Sequence, residues 1–207
     1  EDRCPMKKTI LFMIATVLFS TTFCVTTQDA AKSIEASRPS ADALRTGKIA
    51  EALSLSDKAV GQEAGNCYAL LVRAIARYVS AAQKLSTEVA FVGSRASRER
   101  GIDLEFLRNA VVRVNGGFAL VESDLEKASR CSDVFLDLAP AQWQFDWNGD
   151  GRINDRDTVL LEIERDAEGK PLPEDDPRRR PQYRYDVGDV HWARAFVNFQ
   201  MAALNIA

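Results

Sequence analysis

Leu104, Leu107, Val111, Val114, Phe118, Val121, Leu125 and Ala128 recur at steps that alternate three and four residues without a slip. An α-helix turns once in about 3.6 residues, so this spacing sets all of them on one stripe that a neighbouring element must cover. Gly116 and Gly117 interrupt the run chemically, at about 1 kcal/mol each against alanine, which would allow a kink or a split in the helix there while the phase continues. Two shorter stripes precede it. One holds Ile49, Leu53 and Val60 with Ala52 and Ala59, and the other Tyr68, Leu71, Ile75, Val79, Ala82 and Leu85. Gly61 and Gly65 separate the two, and the polar, basic stretch from Ser94 to Gly101 precedes the long stripe. Asp189 is placed to cap a last helix carrying Val190, Ala193, Val197, Met201 and Leu204 on one side. Alternating strand patterns bounded by hairpin turns are missing from the sequence. The expected fold is all-α, with antiparallel helical hairpins over residues 40–207, Ser40 as first N-cap and residues 25–39 as a polar linker. The chain stops inside the last helical pattern, as a fragment of a longer protein would.

The amino terminus reads as an address. Met6-Lys7-Lys8 precedes an apolar run from Ile10 to Phe19, followed by Ser20, Thr21 and Thr22. A basic start, a short apolar core and small residues make an export signal over residues 1–24, with Met6 as its natural start. The core is shorter than the roughly 20 residues that span a bilayer comfortably. Cleavage after Cys24 puts Thr22 and Cys24 at the positions that need small side chains; lipid attachment at Cys24 and an uncleaved anchor are the alternatives. The expected location is periplasmic or secreted.

Export changes the meaning of the cysteines. Cys4 and Cys24 belong to the leader, which leaves Cys67 and Cys131 as one disulfide in an oxidising compartment. They are not spaced as a metal site, and the one histidine, His191, lies far from both in sequence. A net charge of −3, with no basic stripe interleaved with aromatics, argues against nucleic acid. Glu174, Asp175 and Asp176 face Arg178, Arg179 and Arg180 in a Pro-rich stretch, so Asp166 to Asp186 is expected to be a long surface loop of cancelling charges.

The stretch that carries chemistry is Asp146-Trp147-Asn148-Gly149-Asp150-Gly151-Arg152-Ile153-Asn154-Asp155-Arg156-Asp157. A hard cation such as calcium takes six to eight oxygens, and a twelve-residue EF-hand loop supplies them from positions 1, 3, 5, 7, 9 and 12. Those positions hold Asp146, Asn148, Asp150, Arg152 (through its carbonyl), Asn154 and Asp157. Position 6 needs a positive φ and holds Gly151; position 8 is usually apolar and core-facing and holds Ile153. A helix from Thr158 to Glu164 should leave the loop. Trp143, Phe145 and Trp147 beside it are expected to anchor it to the core.

Asp-x-Asn-Gly-Asp-Gly-Arg-Ile-Asn-x-x-Asp followed by Val159-Leu160-Leu161 resembles one calcium repeat of a dockerin module. The resemblance implies a secreted, calcium-dependent binding module. Dockerins carry two such repeats and this chain has one, so only the metal ligands carry over. Asp157 also stands where sensor EF-hands have glutamate, and its shorter reach implies a weaker site. Gly47-Lys48-Ile49-Ala50-Glu51-Ala52-Leu53 with Asp57-Lys58-Ala59-Val60 resembles the middle of a tetratricopeptide repeat, in which the glycine sits in the turn between paired helices.

The expected function is that of an exported calcium-binding helical protein, a binding or scaffold module with a protein partner and a structural calcium. It is not expected to be an enzyme, since phosphate loops, Gly-x-Ser-x-Gly and His-Glu-x-x-His are missing from the sequence. The alternative is an exported enzyme with a helical active site or a catalytic part outside this segment. A carboxylate-lined pocket would favour the enzyme, and a broad apolar or aromatic groove the binding module.

Overall fold

The structure is a computed structural model that describes residues 27–99, 103–132, 134–154, 157 and 161–206. Residues 1–24, expected to be an export signal, lie outside the described residues. The chain divides into two compact units, Glu1–Lys32 and Ser33–Ala207; of the first, only the opening turns of a helix are described. The described residues are mostly helical: α1 Thr27–Arg45, α2 Ile49–Gln62, α3 Cys67–Glu99, α4 Leu104–Ala128 and α5 Val187–Ile206. Among them, no helix is long and apolar enough to cross a membrane.

Several boundaries differ from expectation. The linker over 25–39 is helical from Thr27, and the helix runs through Pro39 and Ser40. Ser40 is therefore not a cap; its hydroxyl donates to the Ser37 carbonyl one turn back, at 2.7 Å. Tertiary bonds hold this polar helix in place. Buried Asn66 accepts from the Ser37 hydroxyl at 3.0 Å and donates to the Ser33 carbonyl at 3.1 Å. The same Asn66 side chain caps α3 by accepting the Ala69 N–H at 2.9 Å, so one residue starts a helix and ties it to α1. The polar break expected over Ser94 to Gly101 is helical as far as Glu99, and residues 100–101 lie outside the described residues. Cys67, at the head of α3, and Cys131, just past α4, are joined by a disulfide with Cα atoms 5.9 Å apart.

Helix α4 is unbroken through both glycines. A Cβ at Gly117 would lie 3.2 Å from the Ala81 Cβ, so the glycine lets α4 approach α3 closely. Arg73 and Arg77 bond Asp124, and Arg113 bonds Glu88, so the two helices run in opposite senses. Helix α5 runs against α4 likewise, with Arg194 on Glu122 and Asn205 on Asn115. Val114, Phe118, Val121, Leu125 and Ala128 of the long stripe are buried, but Leu104 is 73 % exposed. Gly47 sits in the turn between α1 and α2 with φ +73°. A Cβ there would come 2.7 Å from the Trp143 Cβ, so only glycine lets that turn close over the indole.

A short antiparallel pair was not legible in the sequence. β1 (Leu136–Leu138) pairs with β2 (Tyr183–Tyr185), Asp137 opposite Arg184. β1 buries Leu136 and Leu138 beneath the helices. Three residues are too few for a period-2 pattern to stand out. The Pro-rich stretch is thus not simply a surface loop. It buries Leu172 and ends in β2. Its arginines do more than cancel neighbouring charge, since Arg179 and Arg180 both bond Glu162, at 2.9 and 2.8 Å. Asp189 is not the cap of α5 but its third residue. Asp186 accepts the Gly188 N–H at 2.7 Å while Asp189 accepts the Asp186 N–H at 2.9 Å, a reciprocal capping box.

Candidate metal centre

The segment from Asp146 to Asp157 is folded by its own side chains. Asp146 Oδ1 accepts the N–H groups of Gly149 and Asp150 at 2.6 and 3.2 Å, and Oδ2 accepts that of Gly151 at 2.8 Å. Asn148 Oδ1 accepts the Asp150 N–H at 2.8 Å, and Asp150 Oδ1 accepts the Arg152 N–H at 2.9 Å. Short polar side chains that cap the backbone just ahead of them are what favours Asp and Asn in tight turns. Gly149 and Gly151 are both left-handed, at φ +74° and +82°, although only Gly151 was expected to be. Asp157 is buried, with Oδ1 accepting from Trp147 at 2.9 Å and Asn148 at 3.3 Å and Oδ2 from Asn154 at 2.9 Å. The last ligand position is thereby drawn back onto the second, third and ninth.

One flank of the loop lies on α3. Gln83 donates to the Asp146 carbonyl, and Gly149 lies so close to Thr87 that a Cβ there would collide with its hydroxyl. Sequence reasoning missed both residues, because 63 positions separate Gln83 from its partner and no local spacing marks the contact. Ile153 also differs. Expected in the core, it is 55 % exposed. Asp155, Arg156 and Thr158 to Leu160 lie outside the described residues; the exit helix expected to reach Glu164 has given way by Leu161 to turn and extended chain, with Leu172 N–H on the Glu164 carbonyl at 2.9 Å.

The donor chemistry suits a hard cation, since Asp146, Asn148, Asp150, Asn154 and Asp157 offer only oxygen from their acceptor atoms, and the Arg152 carbonyl adds another. A carboxylate has about four lone-pair sites, so amide bonds and a metal bond are compatible on one group. The placement is less complete than the chemistry. Among the described residues, no group of three or more His, Cys, Asp or Glu side chains stands together closely enough to hold a metal ion. Asp146 and Asp157 are instead turned to backbone amides.

The aromatic cluster does anchor the loop. Trp143 is 2 % exposed and stacks on Trp147 with ring centres 5.7 Å apart and planes 3° from parallel, while Phe145 meets Trp147 edge-on at 5.1 Å. Both indoles also border a partly open cavity of about 360 Å³ lined from α3, α4, β1, β2 and α5. Comparison with protein-family models, with curated proteins and with solved structures finds no match to this chain.

Proposed function

We propose that this chain is an exported, calcium-binding helical protein that acts as a binding or scaffold module, with calcium in a structural role. The observation that carries it is the ladder of side-chain-to-amide bonds in the loop, which holds Asp146, Asn148 and Asp150 around two left-handed glycines. Asp146, Asn148, Asp150, the Arg152 carbonyl, Asn154 and Asp157 would hold the ion. The ion would supply positive charge to the carboxylates of Asp146, Asp150 and Asp157 and so fix the loop. Because several of those carboxylate oxygens already serve amides, affinity is expected in the range of extracellular modules, about 10⁻⁴ to 10⁻³ M. The antiparallel helices and the glycine turn at Gly47 support a tetratricopeptide-like hairpin arrangement.

Calcium at 100 times its dissociation constant should stabilise the fold by about 2.7 kcal/mol. Asp150→Ala should abolish that gain and leave helix content unchanged, while Asp175→Ala, outside the loop, should keep it. Calorimetry that detects no binding at millimolar calcium would end the calcium proposal.

Export is supported by the leader pattern and is compatible with the Cys67–Cys131 disulfide. Amino-terminal sequencing of the mature protein should begin after about residue 24; soluble mature protein that retains Lys7 would refute it. A binding role is favoured over an enzymatic one because the cavity is walled by apolar and aromatic side chains rather than by paired carboxylates.

A further inference from the structure

Asn115-Gly116 and Asn148-Gly149 are the two places where glycine follows asparagine in this chain. The amide nitrogen after an asparagine can attack the side-chain carbonyl carbon and close a five-membered ring, and glycine carries no side chain to obstruct that approach. The two asparagines stand in opposite circumstances. Asn115 lies within unbroken α4, and its side-chain amide is turned across to Asn205 of α5 at 2.8 Å. Asn148 lies in the loop, where its Oδ1 accepts the Asp150 N–H at 2.8 Å. A side chain that reaches the amide two residues ahead passes alongside the amide between them, here the Gly149 nitrogen. That nitrogen donates to Asp146 Oδ1 at 2.6 Å, and Gly149 is left-handed, at φ +74°. The attacking nitrogen thus has a carboxylate on its proton, and the attacked carbonyl has an N–H on its oxygen. Both distances are those at which a base and an oxyanion donor act.

We propose that Asn148-Gly149 is a self-modification site, at which the loop deamidates its own asparagine. The Gly149 nitrogen gives up its proton toward Asp146 Oδ1 and bonds to Asn148 Cγ, while the Asp150 N–H receives the charge that develops on Oδ1. The proton passes to Nδ2, the Cγ–Nδ2 bond breaks, ammonia leaves and a cyclic imide remains. Water then opens the ring at either carbonyl, giving aspartate or isoaspartate, with nothing oxidised or reduced. Each event turns the neutral third ligand position into a carboxylate, and the isoaspartyl product adds a methylene to the loop backbone. The step uses no calcium, so it stands whether or not the loop binds the ion.

The test is incubation of the full-length chain at neutral pH with a chelator present, followed by peptide mapping by mass spectrometry, which reads the two asparagines separately. A parallel sample is held unfolded in guanidinium with its disulfide reduced. In the folded protein Asn148 should deamidate about tenfold or more faster than in the unfolded chain, a modest share of the roughly 10²–10⁴-fold that a positioned base supplies. Asn115 should show the reverse order, since α4 must first open locally. Asp146→Asn removes the base and keeps an acceptor oxygen, so it should bring the folded-state rate at Asn148 down to about the unfolded one. Asp175→Ala, outside the loop, should leave that rate unchanged. Circular dichroism and melting would confirm that each variant is folded. Slower deamidation of Asn148 in the folded than in the unfolded chain, equal rates at the two asparagines of the folded protein, or an undiminished rate in folded Asp146→Asn would each overturn the proposal. Absence of calcium binding alone would leave it intact.

Discussion

Asp124→Ala should destabilise the protein by about 3–5 kcal/mol in urea unfolding at neutral pH, the cost of stranding a buried charge. Asp124 is 1 % exposed, near the carboxyl end of α4. Its carboxylate accepts from Arg73 Nε at 2.9 Å and Arg73 Nη2 at 2.6 Å, and from Arg77 Nη1 at 2.7 Å. Asp57 on α2 meets both arginines at 3.2 Å from a half-exposed position. Burial works to discharge the Arg73 guanidinium, and its bonds to Asp124 and Asp57 more than offset that, so its pKa is raised. Removing Asp124 leaves Arg73 charged and with only the screened Asp57 for compensation. The loss is a large part of the roughly 5–15 kcal/mol by which whole domains are stable. Asp57→Ala should cost less than about 1 kcal/mol, since water already shares that carboxylate. Replacing Arg73 with Met and Asp124 with Leu together should recover much of the stability, because paired apolar groups carry no desolvation penalty. An Asp124→Ala variant within about 1 kcal/mol of the parent would show that the network is ornamental.

Replacing Cys67 and Cys131 together with serine should cost about 4 kcal/mol. The bridge spans 64 residues of sequence, and chain entropy released in the unfolded state grows with the logarithm of that span. At about 2–4 °C per kcal/mol for a chain of this size, the melting temperature should fall by roughly ten degrees. A reducing agent should shift the parent protein to the same value and leave the double variant where it is. Two titratable thiols in the oxidatively expressed parent, or an unchanged melting temperature in the variant, would count against the bridge. The bridge pins the start of α3 to the end of α4, so its loss should loosen the contact that Asp124 also secures. The two effects are expected to be non-additive.

Periodicity along one helix was enough to determine that this chain is helical and that Val114, Phe118, Val121, Leu125 and Ala128 face inward, because a 3.6-residue turn converts spacing into direction. Spacing likewise fixed which oxygens of the segment 146–157 are candidates for a cation, since the loop's ligands are local in sequence. Cys67 and Cys131, the two cysteines outside the segment read as a leader, left one pairing to consider. Tertiary structure decided everything that depends on which element lies alongside. Leu104 belongs to the stripe by phase, yet it is exposed. Ala69, Leu70, Val72 and Ala76 lie off the predicted stripe of α3 and are buried all the same, because α3 packs against α2 as well as α4. Ser33, Ser37 and Pro39 read as linker, yet they are helical, with the two serines bonded to distant Asn66. In the loop, the ligand types were legible, but the capture of Asp146 and Asp157 by backbone amides was not. Docking on Gln83 and Thr87 was equally hidden, for the same reason: a contact across some sixty residues leaves no periodic trace in either partner.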